Sequence, residues 1–276
     1  MNFDDIIFLT VLLLLTVCCA TTEAQFRNAG VTNYIYAPHL GNFDNLSDKG
    51  DISLQIASGA LTNIDFPSAR LAFCPLNNFA IGINYFSFAS SFNSIQAQSS
   101  SAWIASAELS YRDKFIKHDL STLFRWQVDF GYGAGKLIKY YGVRDEGDVN
   151  LGIQRYILAG SAIYEIKEFG LGLGLRGSYF NYTESGAFGE VPQDEIDRIN
   201  YLLSVSPALL LDLSTRIEFG GDVAKLFFNL DWTIYSFKDD NDLLNDFINR
   251  ESVHLGFYVL INKAFNKIKL KRNEKN

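Results

Sequence analysis

Six charged side chains stand out for their company. Glu108, Arg112, Arg125, Asp129, Arg176 and Asp231 occupy alternate positions in stretches otherwise rich in apolar and aromatic residues. Both signs occur, and Glu108/Arg112 and Arg125/Asp129 each fall four residues apart. Charges set this way on one face of a strand suit two kinds of chemistry. They can neutralise one another as ion pairs in a confined interior, since an unpaired buried charge is costly. Alternatively, they can line a passage selective for a small solute. Catalysis has thinner support. The histidines are His39, His118 and His254. His254 with Asp239, Asp240 or Asp242 supplies the acid and histidine groups of a hydrolase at a barrel rim, although a rim histidine is usually only polar surface. No metal-ligand spacing, glycine-rich phosphate loop or nucleophile elbow is present, so no catalytic residue, metal or cofactor is assigned.

The element that positions Arg125 and Asp129 is the stretch Leu120–Gly135, LSTLFRWQVDFGYGAG. Leu120, Phe124, Trp126, Val128, Phe130 and Tyr132 share one parity; Ser121, Arg125, Gln127, Asp129, Gly131, Gly133 and Gly135 share the other. Period two defines a β-strand with unlike faces. Its length exceeds the usual 5–6 residues or so of a soluble strand and meets the roughly 9–11 of a tilted membrane-crossing strand. A greasy face towards lipid and a polar face towards a crowded lumen is the pattern of a transmembrane β-barrel.

Nine further strands follow the same logic. They are expected at Asp51–Gly59, Phe66–Cys74, Phe79–Ala89, Ala102–Arg112, Asn150–Glu165, Phe169–Tyr182, Asn200–Leu213, Val223–Phe237 and Ser252–Phe265. Asn150–Glu165 is the least clean, because Arg155 sits among apolar neighbours of its own parity. Pro207 requires a bulge or irregular spot in the eighth strand. Pro75–Asn78, Lys114–Asp119 and Ile166–Glu168 are short turns, and Ser214–Asp222 is a further turn. Ser90–Ser101, Gly142–Val149, Thr183–Arg198 and Lys238–Arg250 are longer or more polar connections. The expected fold is therefore all-β: an antiparallel up-and-down transmembrane barrel of about ten strands, an even count as bacterial single-chain barrels have. Short turns at one end and long loops at the other place both termini in the periplasm. Trp103 and Tyr111, eight residues apart, would lie roughly 20 Å apart along the membrane normal, near the expected apolar band. The competing architecture is a soluble lipid-binding barrel with its apolar face inward.

Composition agrees. The chain has 276 residues, 48% hydrophobic and 14% aromatic, yet its only long unbroken apolar run is at the N-terminus. A net charge of −7 argues against nucleic acid as a partner. Residues 1–24 read as an export signal with cleavage between Ala24 and Gln25. The alternative is a lipoprotein signal acylated at Cys18 or Cys19, although Val17 is large for the position before the cysteine. Cys74 is then the sole cysteine of the mature body, so no intrachain disulfide is available. Residues 25–49 form a periplasmic lead-in without periodicity, 50–265 the barrel, and 266–276 a basic periplasmic tail.

The segments TNYIYAPHLGNFDNLSDKGDISLQIASG and PLNN–FAIGINYFSF, spanning roughly Asn33 to Ala89, resemble short, lipoprotein-like outer-membrane β-barrel proteins of Bacteroidota, whose function is uncharacterised. The resemblance implies a barrel in the outer membrane of a Gram-negative bacterium and brings no catalytic residues. His254-x-Gly256-x-x-Val259-x-Ile261 also resembles the last-strand signal read by barrel-assembly machinery. The partners so implied are outer-membrane lipid, the assembly machinery during biogenesis and an envelope protein. The expected function is non-enzymatic: a structural barrel or narrow passive pore with a salt-bridged lumen. The alternative is an interaction subunit of an envelope complex, docking through its wall or basic tail.

Overall fold

The computed structural model describes residues 43, 46, 48–61, 64–92, 98–116, 122–141, 147–236 and 251–266. The leader with Cys18, Cys19, Ala24 and Gln25, the lead-in up to residue 42, the histidines His39 and His118, the aspartates Asp239, Asp240 and Asp242, and the tail from 267 onward lie outside these residues.

Ten strands close into one antiparallel barrel in sequence order, β1 pairing with β10. They are β1 Ile52–Leu61, β2 Ile64–Leu76, β3 Phe79–Phe92, β4 Gln98–Ile116, β5 Thr122–Tyr141, β6 Gly147–Ile166, β7 Phe169–Gly189, β8 Ala208–Gly220, β9 Ala224–Ser236 and β10 Glu251–Leu260. A helix, α1 (Gln193–Val205), stands between β7 and β8. The closing seam is continuous, with Ser53 opposite Leu260 and Ala60 opposite Val253. Closure leaves no unpaired strand edge.

The two ends of the cylinder differ. At the rim where β1 begins and β10 ends, the entry rim, connections are short: Asn77-Asn78, 117–121, Lys167-Glu168 and Gly221–Val223. Asn78 takes the left-handed conformation of the first turn, φ 67°, which asparagine tolerates better than most residues. At the far rim, 62–63 is short, while 190–207 and 237–250 are long. The strands β4 to β7 run 19, 20, 20 and 21 residues, so one side of the barrel is much taller than the side built by β1, β2 and β10.

Three expectations are corrected. Residues 200–205 belong to α1, not to the eighth strand, and β8 occupies the stretch expected as a turn. Pro192 and the acidic run Gln193-Asp194-Glu195 suit a helix N-terminus, and Pro207 sits at the helix–strand junction, after a cis peptide bond. The fourth strand begins at Gln98 and the seventh runs to Gly189, so parts of the expected loops are strand. The tenth strand stops at Leu260, and 261–266 form a helical turn.

The alternation of the sequence becomes an inside and an outside. Leu71, Phe73, Ile81, Ile83, Leu109, Val128, Phe130, Leu173, Leu175, Leu226 and Leu255 point outward and are exposed, Leu255 by 65%. Their opposite-parity neighbours are buried within the barrel.

Aromatic rows run across strands on the outer surface. Near the entry rim, Phe79, Tyr111 and Trp126 contact one another in series, with centroids 5.1 and 5.6 Å apart. Towards the far rim, Tyr132, Tyr156 and Tyr179 do the same at 5.0 and 6.1 Å. Beyond Tyr156 the outward residues of β6 turn polar: Gln154, Asn150 and Asp148.

Candidate functional site: an ion-paired lumen

The barrel interior carries most of the unusual chemistry. All six residues singled out by parity, Glu108, Arg112, Arg125, Asp129, Arg176 and Asp231, are buried there, none more than 7% exposed. They are joined by Arg70, Arg155, Glu165, Asp212, Arg216, Glu218 and Lys225. With Asp51 at the entry rim, the buried charge among the described residues is balanced: seven Arg and Lys side chains against seven carboxylates.

Their contacts form three groups. Towards the entry rim, Glu218 and Glu165 hold Arg125, Lys225 and Arg216. Arg125 Nη2 donates to Glu165 Oε2 at 2.9 Å and Glu218 Oε1 at 2.6 Å. Lys225 Nζ bridges the same two carboxylates at 2.6 and 2.8 Å. Arg216 Nε donates to Glu218 Oε2 at 3.2 Å, and its Nη1 reaches Gln55 Oε1 at 3.2 Å. The Arg216 guanidinium also lies 3.8 Å from the Phe227 ring centroid, a stacked arrangement that suits a planar, weakly hydrated cation. On the β2–β5 side, Arg70 Nε lies 3.5 Å from Glu108 Oε2. There Asp129 accepts from Ser110 Oγ at 2.5 Å and from Gln127 Nε2 at 2.9 Å. In the third group, Arg176 Nε and Nη2 reach Asp212 Oδ2 at 3.0 and 2.9 Å, Thr233 Oγ1 donates to Asp212 Oδ1 at 2.7 Å, and Arg155 Nη2 donates to Ser178 Oγ at 3.2 Å.

His254 belongs to this third group, not to a rim. It is fully buried, with Nε2 3.4 Å from Asp231 Oδ2, while Ser214 Oγ donates to Asp231 Oδ1. A serine, an aspartate and a histidine thus meet, but in the wrong order for nucleophilic catalysis. The carboxylate stands between the hydroxyl and the imidazole, so the serine faces Asp231 and not the histidine that a Ser-His-Asp triad would set against it. The burial of His254 corrects its expected place at the rim; Asp239, Asp240 and Asp242 lie outside the described residues.

Apolar side chains pack beyond the charges on the far side and beside them on the entry side. On the far side, Phe86, Ile104, Leu137, Val149, Leu151, Ile153, Phe180 and Leu210 point inward and pack with Ile199 of α1. The spacing of Ile196, Ile199 and Leu203 gives α1 a stripe turned from solvent, while Gln193, Asp197, Asn200 and Ser204 are exposed. These layers explain the mixed parity around Arg155: Val149, Leu151 and Ile153 share its inward face because that part of the lumen is apolar. On the entry side, Ala57, Ala72, Cys74, Ala80, Phe227, Tyr258, Leu260 and Leu46 form the second cluster.

Glycines on the inner face make room for these groups. A Cβ at Gly131 would stand 2.8 Å from Glu108 Cγ, and one at Gly170 2.7 Å from Glu218 Cγ. A barrel of ten strands is only slightly wider than one that side chains fill completely. Arginines and glutamates opposite glycines occupy the extra width.

Sequence parity located one strand's worth of this site per clean strand and missed the rest. Asp212, Arg216 and Glu218 fell in a segment read partly as turn, and Glu165 sat at a strand end. The missing signal was present: Leu209, Leu211, Leu213, Thr215, Ile217 and Phe219 alternate with Leu210, Asp212, Ser214, Arg216 and Glu218 without an error.

No family model matches the chain, and no curated protein does. Among solved structures the chain is similar to the KdgM porin, at 13% identity over 75% of this chain and 98% of that one, TM-score 0.33. It is also similar to the outer-membrane protease OmpT of Escherichia coli, at 9% identity over 76% and 93%, TM-score 0.35. A third is the ferric citrate transporter FecA, at 13% identity over 61% and 34%, TM-score 0.27.

Proposed function

We propose that this chain is a non-enzymatic outer-membrane β-barrel that crosses the bilayer as a closed, side-chain-filled cylinder, with a structural rather than a conducting role. The observation that carries the reading is the inversion of its polarity. Large apolar side chains cover the outside between two aromatic rows, and among the described residues seven cations and six carboxylates are buried inside, with Asp51 buried at the entry rim. A soluble barrel needs the opposite arrangement; a bilayer rewards this one. Exposed aromatics on single strands have the spacing of girdles: Tyr111 and Trp103 on β4, and Tyr164 and Tyr156 on β6, are eight residues apart, about 20 Å along the normal at about 40° tilt.

A passive pore needs a wet lumen, and selectivity linings carry rings of one sign. Here both signs are interleaved, each group is buried, and an apolar layer covers the far side. The filled interior therefore acts as a polar core that rigidifies the cylinder. The test is conductance of the refolded protein in planar bilayers. The expected record is flat at moderate voltage. Regular single-channel steps that change on Arg125→Ala would establish a pore instead.

A second reading, an interaction subunit of an envelope complex, is favoured by the height of β4 to β7. Twenty residues span about 50 Å at that tilt, roughly twice the apolar belt. The excess forms a one-sided wall beyond the far rim, with Phe188 61% exposed. Co-purification of a partner in mild detergent, lost when the hairpin tips are trimmed, is the result this reading expects.

A further inference from the structure

Arg112 on β4 and Arg125 on β5 share a cavity as well as a wall. It measures about 20 Å³ and lies inside the barrel towards the entry rim, between these two side chains, Gln127, Ser161 and, nearer the rim, Lys114. Phe43, Leu46 and Ile163 supply its apolar side. Asp113 is the one acid on its border among the described residues; it shares the outward parity of Tyr111, and its carboxylate accepts from Lys114 N at 2.8 Å. Arg112 is 3% and Arg125 7% exposed. A guanidinium only donates, and the Ser161 hydroxyl can donate as well. A void needs roughly 10–15 Å³ to hold one water, so this one has room for a single small guest.

The charge around the cavity is uneven. Among the described residues, the entry-side group sets three cations, Arg125, Lys225 and Arg216, against two carboxylates, Glu165 and Glu218. On the β2–β5 side, Arg70 and Arg112 are matched in number by Glu108 and Asp129, and Lys114 has Asp48 at 3.7 Å. Asp51 is engaged at the rim, where its carboxylate accepts from Asn262 Nδ2 at 2.9 Å and Asp48 N at 3.2 Å. The entry-side layer is therefore left with one surplus positive charge, and Arg125 of that layer also borders the cavity. A buried charge without its counterpart is costly.

We propose that this cavity is a site for one monatomic anion of halide size, held between Arg112 and Arg125 with the Ser161 hydroxyl as a further donor. The anion accepts from groups that have nothing but donors to offer, and it completes the neutrality of the entry-side layer. It is a resident counterion, not a permeant one. The inference rests on the closed-cylinder reading above, to which it adds a bound ion.

The experiment is urea unfolding of the refolded full chain in an uncharged detergent, with sodium chloride replacing sodium gluconate at constant ionic strength. Gluconate is too large for the cavity. The expected result for the wild type is a folding constant that rises with chloride and, above the dissociation constant, gains about tenfold for each tenfold of chloride. Ser161→Leu fills the cavity from β6 and leaves every charge in place; Arg112→Gln removes one of the two guanidinium groups. Both should lose the chloride dependence while keeping the heat-modifiable migration of a closed barrel. Equal dependence in the wild type and Ser161→Leu is a general salt effect and overturns the site, as does no dependence in the wild type. Where neither variant folds, anomalous scattering from wild-type crystals grown in sodium bromide reads the site directly: a peak between Arg112 and Arg125 supports it, and a bare cavity overturns it. Conductance separates the two readings. Loss of the site with a flat bilayer record leaves the closed cylinder standing, whereas regular single-channel steps overturn the cylinder and the resident ion together.

Discussion

Glu218 accepts from three cations, and its replacement by alanine is the sharpest perturbation of the lumen. In the wild type, Arg125 and Lys225 share Glu218 and Glu165, and Arg216 pairs with Glu218, all within 3.2 Å. Glu218→Ala leaves Arg125 and Lys225 with Glu165 alone and takes the carboxylate from Arg216, in a buried layer packed against Phe227. Removing one partner of a buried pair costs about 3–5 kcal/mol, because the remaining charge loses its compensation. Against a total stability of the order of 5–15 kcal/mol, that loss should shift the unfolding midpoint strongly. The assay is urea titration of the refolded protein, scored by the heat-modifiable band and by the fluorescence of Trp103, Trp126 and Trp232. The companion variant Glu218→Leu/Lys225→Met removes one charge of each sign. It should recover most of the loss, since exchanging a whole buried pair for apolar residues is often near neutral. A loss under about 1 kcal/mol for Glu218→Ala, or a double variant that is simply additive, would refute the claim that the layer is dry and internally compensated.

Other consequences follow from the same geometry. Leu173, 58% exposed near the middle of the outer belt, should tolerate arginine poorly: about 2–4 kcal/mol lost in lipid, against under about 0.5 kcal/mol at an ordinary water-facing position. Equilibrium refolding into bilayers reads the difference. Ile199→Asp places a carboxylate within the far-side apolar layer and should release α1, giving new protease cleavage within 193–205 while the heat-modifiable band persists. His254→Gln should preserve a partner for Asp231 and change stability by about 1 kcal/mol or less, whereas His254→Leu should cost about 1–3 kcal/mol by orphaning a buried acceptor.

The sequence made some parts of this molecule plain and hid others for physical reasons. In β5 the two faces meet uniformly different surroundings, lipid-compatible outside and charged inside, so period two was unmistakable. In β6 the inner face changes from apolar at Val149, Leu151 and Ile153 to charged at Arg155 and Glu165, and alternation blurs wherever a lumen is layered. The α1 segment carries leucines next to those of β8, and the two runs merged into one expected strand despite Pro207 between them. Beyond it, Thr215, Arg216, Glu218 and Gly220 looked like a turn because polarity outweighed period. Arg125, Asp129 and Arg176 were legible as inward charges, but their partners were not. Glu165 and Glu218 reach Arg125 from positions 40 and 93 residues away, and only closure of the sheet brings them together. Phe43 and Leu46 left no periodic trace, since they precede β1 and are placed by what they pack on and not by a strand.

The central claim is that the greasy face of this cylinder meets lipid and its charged face is sealed inside. The most direct measurement is electrophoresis in SDS of the outer-membrane fraction, with and without boiling. The account predicts that the protein is in that fraction and migrates faster unboiled, because a closed, internally compensated barrel resists the detergent until heated. Recovery in the soluble fraction with no change on boiling would contradict it.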